Sequence, residues 1–546
     1  HFLIKKNLSG FQRNVLSKDW YKKYILFIFA FARAKKLQNN ILAIMNYYFS
    51  EEHEMFRSGL KDFLAKNVVP NIDEWEAQQR IPKSLWKKFG DMGYFGLNMP
   101  EEYGGLGADF FYSVVFVEEI SKCYSGGFSI LPMVQLYMSL PYIAKHGSDA
   151  LKAKYLPKAI AGEAIASIAI TEPSDGSDVA NIKTRAVRDG DFYVVNGAKT
   201  FITNAVYGDI IITVVKTDPS AGINGVSLLV IDRNAEGVSA RKLNKLGWHS
   251  SDTAELNFDN VRVPIENLIG KEGQGFYYLM GGLQTERLVG AISGIGGCEA
   301  ALGYGLQYMA EREAFGRPIN RFQVLRHRVA QMSAEIEATK YFIYHTCRLH
   351  QDGQYAVKES SMAKLLASEL ANKVTTECLQ FFGGYGYMEE YKIARMFRDA
   401  RIGTIGGGTS EIMREIIAKM VIDDKSYQPA EKAQDKSENL AVAQNETANE
   451  NQLLKVLEDK ITCLAPIGSS LQFATEAGDI FLDGTGAENK LSETKMGDTD
   501  CKVEVQTVDL QAMLAGSLNP MSAFMNGKIK VKGNMTVAMK LQQLFG

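Results

Sequence analysis

The glycine-rich stretch around residue 407 could let a ligand approach the backbone closely. RIGTIGGGTSEIMREI, residues 401–416, sets three consecutive glycines before a Thr-Ser pair and a helical pattern. Glycine permits backbone conformations and close contacts that a side chain would prevent. Gly407 has no group that takes up a proton. A ligand that must lose a proton here therefore needs a base from another segment.

Glu286 is the acid whose surroundings best suit such a base. It lies in GFYYLMGGLQTERLVGAISG, residues 275–294, at helical spacing from apolar and small residues, namely Leu279, Leu283 and Gly290. A carboxylate on such a helix face loses solvation and becomes a stronger base. An ion pair with the adjacent Arg287 or with a neighbouring helix is the alternative, and the spacing alone leaves it open.

Length and composition narrow the class of protein. A chain of 546 residues exceeds one hydrophobic core, so we expect three or four domains. Its formal net charge of -2 argues against nucleic acid as a partner, because no basic excess is present to neutralise phosphates. The scattered cysteines contain no CxxC pair and the histidines no HExxH motif. We therefore expect free thiols and no metal site.

The first 44 residues differ from the rest of the chain. They carry nine Lys or Arg against a single acid, Asp19, and an apolar run, YILFIFAFA. This run is much shorter than the roughly 20 residues of a membrane-spanning helix, so we expect no stable membrane span. A clean amphipathic pattern begins just after Met45. We expect native translation to start at Met45, with residues 1–44 outside the fold.

Hydrophobic periodicity predicts helices, then strands, then helices. Apolar residues recur at helical spacing after residue 50, whereas DIIITVVKT, GVSLLVIDR and TAELNFDNVRVP are short β-branched runs typical of strands. Helical spacing then returns. This order favours a multidomain α+β protein with segregated layers. The expected boundaries are 45–160 (helical), 161–271 (β), 272–422 (helical), 423–450 (linker) and 451–546 (a small α/β domain).

Four motifs in this order resemble the acyl-CoA dehydrogenase family of flavoenzymes from about Met45 to Ile422. They are AITEPSDGSDVANIKT, NGAKTFITNA, EREAFGRPINRFQ and QFFGGYGYMEEYKIARMFRDARIGTIGGGTSE. The resemblance implies an N-terminal helical domain, a middle β domain and a C-terminal four-helix domain that together hold FAD. It also implies an acyl-CoA substrate, an electron-transferring flavoprotein as partner, and a homodimer or homotetramer.

The resemblance also assigns roles to individual residues. It implies that the flavin ring is contacted by Thr171, Phe201 and Thr203, and the ADP portion of FAD by Arg312, Phe315 and Gln323. It implies that the cofactor of a neighbouring subunit is reached by Gln380 and Gly384, and that the site is closed at the start of the last helix by Thr409 and Glu411. The residues expected to contact the substrate or its pantetheine arm are Ser177, Tyr277, Arg287 and Gly408. Ser177 is also expected to lie close to the cofactor.

The family resemblance also favours Glu286 as the base. Many members carry a glutamate at the position of Gly407, whereas the long-chain and isovaleryl branches carry the base in an ERL setting like that of Glu286. KLGWHSSDTAELNF, residues 245–258, likewise resembles the long-chain branch. The expected reaction is dehydrogenation of an acyl-CoA to a trans-2-enoyl-CoA, with a Gly407 N–H binding the thioester carbonyl. A non-catalytic acyl-CoA or lipid carrier and an acyl-CoA oxidase are the alternatives.

The tail from residue 451 resembles the sterol carrier protein 2 family, whose members enclose apolar ligands. Strand-like segments alternate with helical ones in this region, and several residues offer adaptable apolar surface or core: Met513, Leu514, Phe524, Met525, Met535 and Met539. The chain ends in LFG rather than a peroxisomal tripeptide. We therefore expect a cytoplasmic or mitochondrial-matrix location.

Overall fold

A computed structural model gives the structure of the chain. It describes residues 47–423 and these parts of the tail: 457, 461, 468–476, 478–486, 488–492, 497, 499–514, 518, 523 and 528–533. The expected extra segment at 1–44 and the linker beyond residue 423 lie outside the described residues. So do four of the apolar tail residues named above, Phe524, Met525, Met535 and Met539.

Seven helices form the first part of the described chain: α1 Glu51–Asn67, α2 Ile72–Gln78, α3 Lys83–Asp91, α4 Phe110–Ser121, α5 Gly126–Met133, α6 Leu140–His146 and α7 Asp149–Ile160. Helix α1 begins after Ser50, whose hydroxyl accepts the His53 backbone N–H. Its apolar spacing buries Leu60 and Leu64. The predicted helical pattern is confirmed here.

One helical stretch in the described part of the chain, Gly126–His146, has the length and hydropathy of a membrane span. The protein itself buries 78% of its apolar window. A core helix of this kind has the same composition as a spanning helix.

A seven-stranded sheet follows, with strands β1 Ala166–Ala169, β2 Arg185–Asp189, β3 Phe192–Thr203, β4 Ile210–Lys216, β5 Val226–Asp232, β6 Val238–Lys242 and β7 Thr253–Pro264. The strand order is β1-β4-β2-β3-β7-β6, and β5 pairs with β4. The three runs predicted as strands form β4, β5 and β7. A register shift between Lys199 and Ile202 interrupts the pairing of β3 with β7. Within this bulge Phe201 has a φ of 62°, which is uncommon for a residue with a side chain.

Long helices return after the sheet: α8 Gly275–Glu311, α9 Gln323–Gln351, α10 Val357–Phe381, α11 Lys392–Ala400 and α12 Ser410–Ala418. A short hairpin, β8 Glu313–Ala314 and β9 Arg317–Pro318, separates α8 from α9. The predicted order of helices, strands and helices is confirmed.

The tail contains a second sheet, with β10 Ser470–Ala474, β11 Asp479–Asp483, β12 Lys490–Ser492, β13 Cys501–Val505 and β14 Ile529–Gly533 in the order β12-β11-β10-β13-β14. Helix α13, Thr507–Leu514, supplies Met513 and Leu514 to its core, where they join Leu471, Phe473 and Val503. Strand β12 was not predicted from the sequence.

The chain divides into two compact units. Of the described residues, the larger unit comprises those up to Tyr278, Ile292–Lys340 and Leu370–Ile402. The smaller unit comprises Leu279–Ala291, Tyr341–Glu369 and the described residues from Gly403 onward. Each unit therefore receives a part of α8, α9 and α10.

Within the larger unit, Asp399 of α11 joins three segments. Its carboxylate accepts the backbone N–H of Gly126 at 2.9 Å and that of Trp248 at 2.6 Å. Burial raises the pKa of Asp399 to about 6, and the nearby Glu76 acts in the same direction, whereas the N–H donors and Arg395 oppose them. Asp399 therefore holds its proton more tightly in the folded protein than in the unfolded chain.

This pKa predicts a pH-dependent contribution to stability. A carboxyl group with a raised pKa in the folded protein stabilises the fold fully at a pH below its unfolded pKa of 3.8. This stabilisation is lost as the pH rises through the folded pKa of about 6. Asp399→Asn should remove this dependence. The difference in free energy of unfolding between wild type and variant should change by up to about 3 kcal/mol between about pH 4 and pH 7. Thermal unfolding of both proteins across this range measures the effect; parallel curves would contradict it.

Candidate functional site

The end of strand β3 presents the residues predicted to contact a flavin ring. Phe201 lies in the bulge with 69% of its surface exposed, and Thr203 ends the strand. The Thr171 carbonyl accepts the Thr200 backbone N–H at 2.8 Å, which places Thr171 next to the residue preceding Phe201. The larger unit thus brings an aromatic ring and two hydroxyl groups to one strand end.

A buried ion pair ties the Thr171 segment to β3. The Lys199 ammonium donates to the Glu172 carboxylate at 2.8 Å and to the Ile170 carbonyl at 2.9 Å. The two charged side chains are at most 3% exposed. Glu172 also accepts the backbone N–H of Lys183 at 2.6 Å and of Thr184 at 2.9 Å. This pair therefore joins the end of β1, the following loop and β3.

The protonation of this pair follows from its burial. Burial lowers the pKa of Lys199 to about 8, although the charge of Glu172 opposes the shift. Burial alone would raise the pKa of Glu172, but Lys199 and the backbone donors outweigh it and hold that pKa below its ordinary value. Both groups are ionised at neutral pH. The sequence motifs contain both residues, yet their contact was not foreseen; the lysine within the NGAKTFITNA segment was the available signal.

The hairpin after α8 presents the residues predicted for the ADP portion. Phe315 has a φ of 51° and is 95% exposed. The Arg312 guanidinium lies 5.8 Å from the ring centroid of Tyr385, in the segment that follows α10. Gln323, the third residue predicted for the ADP portion, begins α9 and is exposed. Gln380 and Gly384, predicted to reach the cofactor of a neighbouring subunit, are also exposed in the single chain.

Two residues of the larger unit that were predicted to contact the substrate, Ser177 and Tyr277, differ in their surroundings. Ser177 is exposed in the loop that follows Thr171. The Tyr277 hydroxyl donates to Asn224 Oδ1 at 2.7 Å, and burial raises the pKa of Tyr277, which keeps this hydroxyl protonated. Ser177 and Tyr277 share no hydrogen bond among the described residues.

Glu286 lies in the smaller unit, on the α8 segment Leu279–Ala291. It is 8% exposed, in agreement with its apolar spacing, and the neighbouring Arg287 is 9% exposed. Burial lowers the pKa of Arg287, whereas the charge of Glu286 opposes the shift. The two side chains therefore interact electrostatically. Within the described part of the chain, Arg287 Nε has no hydrogen-bond partner.

The glycine turn before α12 also lies in the smaller unit. Gly407 and Gly408 have φ values of 66° and 97°, which favour glycine. The Thr409 hydroxyl accepts the Ile412 N–H at 3.2 Å and caps the helix. Lys364 of α10 donates to the Gly408 carbonyl. Sequence reasoning missed Lys364, because the residues in contact are 44 positions apart.

Glu411 follows on the first turn of α12 and is exposed. Hydrogen bonds from its own backbone N–H and from the Thr409 hydroxyl lower the pKa of Glu411, with smaller contributions from Arg414 and Lys364. The smaller unit thus gathers Glu286, Arg287, Lys364 and the glycine turn, whereas the predicted flavin contacts at Thr171, Phe201 and Thr203 belong to the larger unit.

Comparison with known proteins decides the family. Models of the acyl-CoA dehydrogenase N-terminal, middle and C-terminal domains match residues 50–163, 167–261 and 273–422. The mitochondrial long-chain specific acyl-CoA dehydrogenase of Mus musculus is 39% identical over 381 residues, which are 69% of this chain and 88% of that protein. The chain belongs to the acyl-CoA dehydrogenase family. It is an oxidoreductase that acts on acyl-CoA.

Other members of the acyl-CoA dehydrogenase family agree. The mitochondrial isovaleryl-CoA dehydrogenase of Oryza sativa subsp. japonica is 37% identical over 395 residues, 72% of this chain and 96% of that protein. The crystal structure of an acyl-CoA dehydrogenase from Geobacillus kaustophilus matches with a TM-score of 0.67 at 45% identity, covering 69% of this chain and 99% of that one. The SCP-2 sterol transfer family matches residues 446–546. Both predicted resemblances are confirmed.

The residues of the larger unit suit FAD, the cofactor on which acyl-CoA dehydrogenases depend. Phe201 offers an exposed aromatic ring in the strand that ends at Thr203, next to the backbone contact of Thr171, and the hairpin after α8 carries the exposed ring of Phe315 close in sequence to the cation of Arg312. The Phe201 ring and the nearby Thr203 therefore fit a flavin ring, and the Arg312 cation fits a nucleotide phosphate.

Proposed function

We propose that the protein dehydrogenates acyl-CoA with Glu286 as the catalytic base. The observation that carries this proposal is a buried carboxylate at 286 combined with glycine at 407, the position where many family members carry glutamate. Glu286 takes the proton from the carbon next to the thioester carbonyl. A buried base aimed at a weakly acidic C–H suits a carboxylate with reduced solvation.

The glycine turn is assigned to the thioester carbonyl. A Gly407 N–H, supported by the adjacent Gly408, donates to the carbonyl oxygen as it gains negative charge. Loss of one such donor typically costs roughly 3 kcal/mol of transition-state stabilisation. When bound, FAD supplies the acceptor for the hydride that leaves the β-carbon. The product is a trans-2-enoyl-CoA.

We assign the cofactor contacts by position in the family motifs. The flavin ring would be held by Thr171, Phe201 and Thr203. The same chain would supply further contacts from Arg312, Phe315, Gln323, Thr409 and Glu411. A second copy of the chain would supply Gln380 and Gly384. On this assignment the protein works as a homodimer or homotetramer.

Substrate contacts are assigned in the same way. Ser177 binds the pantetheine arm, Arg287 orients Glu286 or binds CoA, and Tyr277 and Gly408 contact the substrate. The electron acceptor is an electron-transferring flavoprotein, and the location is the cytoplasm or the mitochondrial matrix. The mitochondrial relatives named above support this location.

Anaerobic mixing of the purified flavoprotein with acyl-CoA thioesters from butyryl to stearoyl, together with a branched and a steroid side-chain thioester, tests the activity. We expect bleaching of the flavin absorbance and rapid reduction of an electron-transferring flavoprotein. No bleaching with any thioester would indicate a carrier instead. If the protein in air forms peroxide as fast as it reduces the electron-transferring flavoprotein, it is an oxidase.

The tail is proposed to deliver lipid-like thioesters to the dehydrogenase. The dehydrogenase domain models match within residues 50–422, and 69% of this chain covers 99% of the Geobacillus kaustophilus structure, which suggests that the dehydrogenase part folds without the tail. Deletion of residues 423–546 should then raise KM for stearoyl-CoA by about tenfold, equivalent to about 1.4 kcal/mol of lost binding. KM for butyryl-CoA should change little, because a short chain gains little from the apolar domain. Equal changes at both chain lengths in steady-state kinetics would contradict the proposal.

A further inference from the structure

Lys364 differs from the other lysines of α10. Lys358 pairs with Glu359 at 3.1 Å and Lys373 with Glu335 at 2.7 Å, both on the protein surface. Lys364 is 5% exposed and makes no ion pair within 4 Å among the described residues. Its ammonium instead donates to the carbonyl of Gly408.

The glycine turn needs an anchor of this kind. A Cβ placed on Gly407 would meet no atom within 4 Å, so packing does not hold this position. Glycine backbones lose more conformational freedom on ordering than those of other residues. The hydrogen bond from Lys364 to the Gly408 carbonyl and the Thr409 cap are two contacts that hold the turn in one conformation.

Lys364 lies near a second cation, Arg287, and two hydrogen-bonding groups in the described part of the smaller unit are unused. Burial and the charge of Arg287 both lower the pKa of Lys364 to about 8, whereas Glu411 and Glu369 oppose the shift. Arg287 Nε and the buried Ser410 hydroxyl have no hydrogen-bond partner in the described part of the chain. Buried donors without partners are costly, so this arrangement suits a state in which negative charge develops nearby.

We propose that Lys364 is a positioning residue that holds the Gly407–Gly408 turn through the Gly408 carbonyl and, together with Arg287, favours negative charge on the substrate carbonyl oxygen. This inference rests on the proposed role of the Gly407 N–H. Lys364 itself contacts the backbone rather than the substrate. Its effect is to preorganise a donor, which avoids a reorganisation cost during the reaction.

Binding of cinnamoyl-CoA, a conjugated product-like thioester, provides the test. Polarisation of its carbonyl by hydrogen bonding shifts its absorbance to longer wavelength. Lys364→Met should remove more than about half of the shift seen with the wild-type flavoprotein and lower kcat by about 10- to 100-fold, less than the loss of a direct oxyanion donor. KM should change by less than about threefold. Lys364→Arg keeps the charge and the donor, so it should retain most of the shift.

Lys373→Met is the matched control, because it removes a lysine from the same helix at an exposed ion pair. It should leave both the shift and kcat unchanged. If Lys364→Met does not retain FAD, Lys364→Gln takes its place. It should show the same loss of the absorbance shift and of kcat relative to Lys364→Arg. A full shift in the Met or Gln variant, or an equal loss in the Arg variant, would overturn the inference. Absence of bleaching in the wild type would instead overturn the proposed function.

Discussion

Glu286→Gln should retain FAD and lose thioester-dependent flavin bleaching by about three to four orders of magnitude. Glutamine keeps the size and burial of the side chain but cannot accept a proton, so the α-proton has no base at this position. General acid–base groups typically contribute up to about 10⁴-fold in rate. Stopped-flow bleaching under anaerobic conditions measures the loss directly, and the flavin absorbance before mixing reports cofactor retention.

Two further variants make this result specific. Glu311→Gln changes an exposed acid at the end of the same helix, α8, and should leave the bleaching rate unchanged. Gly407→Glu in the Glu286→Gln background returns a carboxylate to the position that many family members use. We expect partial recovery only, because the φ of 66° at this position is unfavourable for residues with a Cβ. Near-normal bleaching in Glu286→Gln alone would remove the assignment.

Lys199→Met should lower the free energy of unfolding by about 3–5 kcal/mol, the usual effect of removing one partner from a buried ion pair. The change leaves the carboxylate of Glu172 buried at the junction of β1, β3 and the intervening loop. FAD binding should weaken as well, because this junction positions Thr171 and Phe201. Urea unfolding followed by circular dichroism measures the first effect, and flavin titration of the apoprotein measures the second.

The double variant Lys199→Met/Glu172→Gln is the decisive control. Removal of both charges should restore much of the stability, because neither partner then remains buried as an unpaired ion. Arg241→Met removes one partner of the exposed Arg241–Glu255 pair in the same sheet and should cost less than about 1 kcal/mol. A cost for Lys199→Met as small as that for Arg241→Met would show that the buried pair does not stabilise this junction.

Much of the fold could be predicted from local patterns. Strands β4, β5 and β7 and helix α1 follow directly from apolar residues at strand or helix spacing, because burial of one face imposes that period on the sequence. The same reasoning placed Glu286 on a buried helix face, where it is 8% exposed. The short strand β12 was missed, since three residues carry no detectable period.

The candidate site was predictable only in part. The sequence alone determined which residue types were present: a glycine at 407 without a side chain to act as a base, a carboxylate at 286 among apolar neighbours, and the motifs that resemble the family. Only the tertiary structure decided which groups meet. The contact from Lys199 to Glu172 spans 27 residues and that from Lys364 to Gly408 spans 44. Such contacts depend on strand register and helix packing between distant segments, which no local spacing specifies.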